Sequence, residues 1–225
     1  ARDVLGCAPH MSSTNRGTER TGFDEYPTPA WAVRRLMEAV HFKGGHWLEP
    51  CAGEGAIIST ISRADVRWTA VEIQRRFEPL LRKIPGVESI EIGDFMGYKP
   101  RAALHSKRPF DVVVTNPPYL DAMEFVAHCL ELSTHVAMLL RLNFLASNKR
   151  NVFMREYCPD VYVLPDRPSF TGKGTDSIEY AWFVWDSGAR RTAGKLQVLP
   201  PTAAVERRHV MADTGRRKRK ESGIA

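Results

Sequence analysis

A chain of 225 residues with 43% hydrophobic and 26% charged residues has ordinary globular composition and enough material for one domain with a core, which excludes disorder throughout. No apolar run approaches the roughly 20 residues of a membrane-spanning helix, and the opening ARDVLGCAPHM lacks the layout of a signal peptide, so a soluble, cytoplasmic protein without a membrane partner is expected. Cys7, Cys51, Cys129 and Cys158 form no CxxC pair and have no matching His spacing, so they read as free thiols, with neither a metal site nor a disulfide framework.

The net charge of +6 is unevenly placed. Residues 187–225 carry 10 Lys and Arg against 3 Asp and Glu, a net +7, which leaves 22 against 23, or −1, for residues 1–186. The tail, ending RRHVMADTGRRKRKESGIA, has no apolar periodicity after about Val198 and is expected to be solvated or disordered alone. Arg216, Arg217, Lys218, Arg219 and Lys220 suit either solubility or phosphate binding without sequence preference.

Residues 1–23 read as a flexible segment, and helical spacing begins at 30–41. A first strand, 46–50, runs into Glu49-Pro50-Cys51-Ala52-Gly53-Glu54-Gly55 and a helix over 55–64. Two glycines at spacing two allow a tight turn to approach a ligand closely. The third glycine of a dinucleotide fingerprint is absent, and the flanking acids disfavour a pyrophosphate but suit amino groups, hydroxyls or a positive charge. A second strand, 67–73, carries Glu72 near its end, with Ile73 beside it; a carboxylate there can accept from both hydroxyls of a ribose. A helix over 75–84 leads to a third strand, 89–94, after which Asp94 and Phe95 suit an exocyclic amine and an adenine ring. Together these features point to a nucleoside without phosphates.

The fourth strand, 110–115, ends in Asn116-Pro117-Pro118-Tyr119, where two prolines stop the sheet and fix a rigid backbone at its carboxyl edge. A conjugated NH2 is a poor nucleophile, and two acceptors for its hydrogens favour a pyramidal nitrogen with a directed lone pair. The Asn116 side-chain oxygen and the Pro117 carbonyl can be those acceptors, while Tyr119 offers a ring for stacking on a planar target. A helix over 121–132, a strand over 135–141, a helix over 147–157 and strands over 160–164 and 179–186 follow. The interval 165–178, PDRPSFTGKGTDSI, is turn-rich, so the last two strands are expected to form a long antiparallel hairpin. The layout is α/β: seven strands in one open, mostly parallel sheet.

With these motifs in this order, residues 24–186 resemble the class I S-adenosylmethionine-dependent amino methyltransferases, most closely the DNA adenine-N6 methyltransferases, including small phage-type ones. The resemblance implies a Rossmann-like methyltransferase domain over 24–198, a seven-stranded sheet with helices on both faces and a C-terminal hairpin, and S-adenosyl-L-methionine as cofactor. Tyr26-Pro27-Thr28-Pro29 resembles the opening motif that contacts the methionine end of the cofactor, and Glu49 to Gly55 the first cofactor loop. Glu72 corresponds to the ribose acid, Asp94 to the adenine-binding acid, and Asn116 to Tyr119 to the catalytic motif. The implied partner is nucleic acid, DNA first, handled by a monomer or homodimer.

Only about 40 residues follow the last strand, too few for a separate recognition domain. Target contacts are therefore expected from the 166–178 hairpin, with Arg167, Phe170, Lys173 and Asp176, and from Asn143 to Arg150. Methylation of RNA adenine or of a protein glutamine amide, and a non-catalytic nucleic-acid-binding module, remain as alternatives.

Overall fold

The computed structural model describes residues 27–100, 107–170, 177–186 and 193–207; Tyr26, Lys173, Asp176 and the basic run 216–220 lie outside them. Among the described residues eight strands form one sheet: β1 (Gly45–Glu49), β2 (Val66–Glu72), β3 (Val87–Ile92), β4 (Phe110–Thr115), β5 (Ser133–Arg141), β6 (Asp160–Val163), β7 (Tyr180–Trp185) and β8 (Leu196–Val198). Their order is β3-β2-β1-β4-β5-β7-β6-β8. β1 to β5 are mutually parallel, and β7 runs antiparallel to both β5 and β6. The eighth strand, beyond the seven expected, lies parallel to β6 at the sheet edge. Its three residues LQV, with Leu196 and Val198 exposed, carry no core periodicity that a sequence pattern would register.

The chain proceeds outward from β1 through β2 to β3, then returns to the other side of β1 with β4. That reversal opens a crevice at the carboxyl ends of β1 and β4, where open α/β sheets bind ligands. Register brings the two ends level: Trp47 lies opposite Val112 and Leu48 opposite Val113, so Glu49 and Asn116 both project past the same edge.

Two cores cover the two faces. On one, α1 (Ala30–Ala39), α2 (Ala56–Ile61) and α3 (Glu78–Leu81) bury Trp31, Leu36, Ile57 and Leu81 against Trp47, Trp68 and Trp182. On the other, α4 (Ala122–Leu132) buries Phe125, Val126 and Cys129, the i, i+3, i+4 stripe seen in its sequence, against Val113, Met138 and Phe183. Alternation along β7 sends Trp182 and Val184 to the first core and Ala181, Phe183 and Trp185 to the second, as a period of two requires. Burying each large side chain contributes roughly 1.5–3 kcal/mol. The buried Trp182 indole would forfeit part of that without a partner, and it donates to the Ala32 carbonyl at 2.8 Å. α5 (Asn151–Glu156), entered from a 3₁₀ turn, buries no residue fully. Past β8, Leu199 and Thr202 are buried; the Thr202 amide donates to Asp166, and Arg207 pairs with Asp166. Among the described residues no helix is long and apolar enough to cross a membrane, and Cys51, Cys129 and Cys158 are free.

Candidate active site

β1 delivers Glu49 to the crevice, and the chain then turns through residues 50–55 into α2. Two backbone hydrogen bonds fix that turn: Ala52 N–H donates to the Val71 carbonyl (3.0 Å) and Gly55 N–H to the Ala52 carbonyl (2.8 Å). Gly53 and Gly55 have φ of +52° and +83°, values that side-chain-bearing residues disfavour. The two glycines serve different ends. A Cβ on Gly55 would stand 2.1 Å from Ile84 Cδ1, so this glycine lets the loop close on the core; a Cβ on Gly53 would meet nothing within 4 Å, so this one faces open space.

Glu72, buried at the end of β2, accepts from Gly53 N–H through Oε2 (2.7 Å) and from Gln74 N–H through Oε1 (2.8 Å). The acid assigned to a ribose thus also holds the glycine loop, and each oxygen keeps a further lone pair for a ligand hydroxyl. Glu49 differs. It is 2% exposed and its Oε2 has no hydrogen-bond partner. Burial pushes its carboxyl well above the usual range; the Ile58 backbone amide opposes this, and repulsion from Glu72 adds to it. Burial raises the neighbouring Cys51 thiol too.

After β3, Asp94 accepts from Met96 N–H at 3.0 Å and starts a single 3₁₀ turn over 95–97. Phe95 is only 3% exposed, its ring packed against those of Phe125 (5.3 Å) and His128 (4.7 Å). Ile73 and Met96, 50% and 41% exposed, are better placed to lie against a flat ring.

These pieces line one cavity of about 770 Å³, bounded by Pro27 and Thr28, residues 49–54, residues 72–74, residues 93–96, Asn116 and Pro118. That volume is ordinary for a small-molecule site. Asn116 stands at its β4 wall. Its Nδ2 donates to Thr28 Oγ1 (3.2 Å), and its Oδ1 accepts from the Tyr119 hydroxyl (2.8 Å). The Tyr119 ring lies under the Arg141 guanidinium at 4.6 Å and beside Tyr180 at 5.7 Å.

Pro29, Gly55, Pro117 and Tyr119 do not line this cavity. Pro29 instead caps α1, its carbonyl accepting from Ala32 N–H, and Pro117 is buried. Of the residues nominated for target contact, Asn143 is exposed with its carbonyl accepting from Arg150, Arg167 pairs with Glu179, and Phe170 packs edge-on against Tyr180 at 5.2 Å. None of these three borders the cavity. Sequence reasoning missed Gln74, Arg76, Phe77, Leu120, Asp121 and Phe125 on the cavity wall, most of them within a few residues of a strand end. It also missed Arg141, whose only sign was a charge on the last residue of a strand.

The sequence matches no protein-family model and no curated protein. Solved structures do resemble it. A candidate RNA methyltransferase from Pyrococcus horikoshii superposes with a TM-score of 0.55 at 17% identity, covering 73% of this chain and 85% of that one. A modification subunit of a candidate type I restriction enzyme from Vibrio vulnificus gives 0.59 at 16% identity, covering 81% of this chain but only 51% of that one. The fold is that of the class I methyltransferases. The 23S rRNA methyltransferase ErmE shares it too, with a TM-score of 0.50 at 21% identity over 74% of this chain and 69% of that one. On this methyltransferase fold the cavity occupies the crevice between β1 and β4, and Asn116 stands where the two halves of the sheet meet.

Proposed function

We propose that this chain transfers the methyl group of S-adenosyl-L-methionine to the exocyclic N6 amine of adenine in DNA. The observation that carries the reading is the position of Asn116: an amide oxygen at the wall of an acid-lined cavity, on the rigid turn after β4, held between Thr28 and Tyr119.

The cavity's own chemistry fits the cofactor. Glu49 presents a buried oxygen with no partner, which suits a cationic group. Glu72 and Asp94 offer acceptors for hydroxyls and an amine, Ile73 and Met96 offer apolar surface for a ring, and Gly53 leaves space where a side chain would intrude. When bound, S-adenosyl-L-methionine supplies an electrophilic methyl on a positively charged sulfur. The chain supplies orientation: Asn116 Oδ1 and the Pro117 carbonyl accept the two hydrogens of the target amine and direct its lone pair. One lone pair of Asn116 Oδ1 is engaged by the Tyr119 hydroxyl, and the other is available to the amine. No strong general base is needed, because the nitrogen sheds its proton after the methyl has moved.

RNA adenine is the second reading, favoured by the two RNA-directed enzymes among the similar structures. The test is incubation with isotope-labelled S-adenosyl-L-methionine and either DNA or RNA, followed by digestion to nucleosides and mass spectrometry. Labelled N6-methyldeoxyadenosine is expected. Label confined to RNA nucleosides would replace the first reading with the second, and label in neither would reject both.

A further inference from the structure

We infer that Arg141 binds a phosphate of the target nucleotide and thereby selects a nucleic-acid strand as substrate, an inference that rests on the nucleic-acid methylation proposed above. Thr115, the last residue of β4, lies opposite Met138, so β5 overruns β4 by three residues and carries Arg141 past the sheet edge beside Tyr119. The guanidinium lies 4.6 Å from the centre of the Tyr119 ring, half-buried, and its Nε is buried without a hydrogen-bond partner. Neighbouring cations are spoken for: Arg150 donates to the carbonyls of Phe144 and Asn143, and Arg167 pairs with Glu179. The Arg141 side chain makes neither a hydrogen bond nor an ion pair among the described residues.

A half-buried cation without a counter-ion is unfavourable unless an anion arrives to meet it. Stacking on Tyr119 offsets part of that cost and holds the planar fork in place. The anion is not the cofactor's carboxylate, because Arg141 does not border the cavity and β5, which carries it, lies on the opposite side of β4 from β1. What lies on that side is the target. A target adenine in a strand brings phosphates within a few bonds of its base, and the guanidinium fork matches a phosphate in geometry as well as charge. A glutamine amide brings none, so the same contact separates the two substrate classes.

The test compares the wild-type protein with Arg141→Gln and Arg141→Lys, using an adenine-containing DNA duplex. Binding is read by fluorescence anisotropy across a salt series, and transfer by steady-state kinetics. Loss of one phosphate contact should reduce the slope of log K against log salt by about 1 in Arg141→Gln. KM for DNA should rise about tenfold or more, with kcat nearly unchanged. Arg141→Lys, which keeps the charge, should restore most of the slope. An unchanged slope with a fallen kcat would mean that Arg141 only props Tyr119, and would overturn the phosphate contact while leaving the methylation reading intact. A slope difference without any methyl transfer to DNA would do the reverse.

Discussion

The two sides of Asn116 are built differently. On the side proposed above for the cofactor, at β1 to β3, acids line the cavity: Glu49, Glu72 and Asp94 stand within a few residues of strand ends, and backbone amides hold two of them. On the far side, from the turn after β4 to β7, are aromatic rings and a cation: Tyr119, Tyr180, Phe170 and Arg141, with ring contacts between segments distant in sequence. An acid anchored by amides has one position and suits a ligand that never varies. Tyr119 and Phe170 are only half-buried, and a ring with part of its surface open suits a target that must enter, stack and leave. The difference predicts that substitutions on the cofactor side change binding of a small cation, whereas those on the far side change turnover or nucleic-acid affinity.

Asn116 belongs to both sides, and its loss should have the largest effect. Asn116→Ala removes the acceptor for the target amine, and kcat should fall by about 10²–10³ or more, the scale of losing one preorganised polar group in a transition state. The cavity's acids remain, so calorimetric titration with S-adenosyl-L-methionine should show nearly unchanged affinity. Near-normal turnover would mean that the amine is oriented elsewhere. A parallel loss of cofactor binding would instead show that the amide serves the cofactor side through Thr28.

Glu49 gives a smaller effect with a distinctive pH dependence. Because burial raises its carboxyl above the value in the unfolded chain, the folded protein without cofactor holds this proton more tightly. Its contribution to stability is therefore complete below the unfolded pKa and is lost as pH rises through the raised one. Glu49→Gln carries no such proton, and thermal melts should find the variant more stable than wild type on the alkaline side. Binding should move the other way. A cation favours the ionised carboxylate, so wild-type affinity for S-adenosyl-L-methionine should tighten with rising pH, while the variant should bind roughly tenfold or more weakly with a flat profile. A wild-type profile as flat as the variant's would remove Glu49 from the cofactor's charged group.

The same asymmetry decides how much was legible beforehand. Strands β1 to β7 and the stripe Ala122, Phe125, Val126 and Cys129 could be read because burial on a sheet or helix face imposes a period. The glycine turn could be read because its geometry is local: Gly53 and Gly55 adopt left-handed backbone, and an acid at a strand end needs no distant partner to be placed. The far side could not. Arg141 meets Tyr119 only because β5 overruns β4 by three residues, and Tyr180 reaches the same ring only because β7 pairs with β5 so that Tyr180 lies opposite Arg141. Register between strands some 40 residues apart leaves no trace in composition or spacing. Phe95 is placed less simply: it borders the cavity while its ring packs in the second core, and Ile73 and Met96 carry the exposed apolar surface.

The smallest expected effect tests whether the far side works through rings or through hydrogen bonds. Tyr119→Phe removes the hydroxyl that donates to Asn116 Oδ1 and leaves the ring under Arg141 unchanged. A single net hydrogen bond contributes about 1 kcal/mol, so stability should fall by no more than that, and kcat by about fivefold at most, since Thr28 still holds the amide. Tyr119→Ala removes the ring as well. It should lower kcat considerably further, because an unstacked base then meets Asn116 with no surface to lie on. If the two variants were equally impaired, the hydroxyl rather than the ring would be the working part of Tyr119. The far side would then resemble the cofactor side, a fixed hydrogen-bonded wall, and the contrast drawn between them would fail.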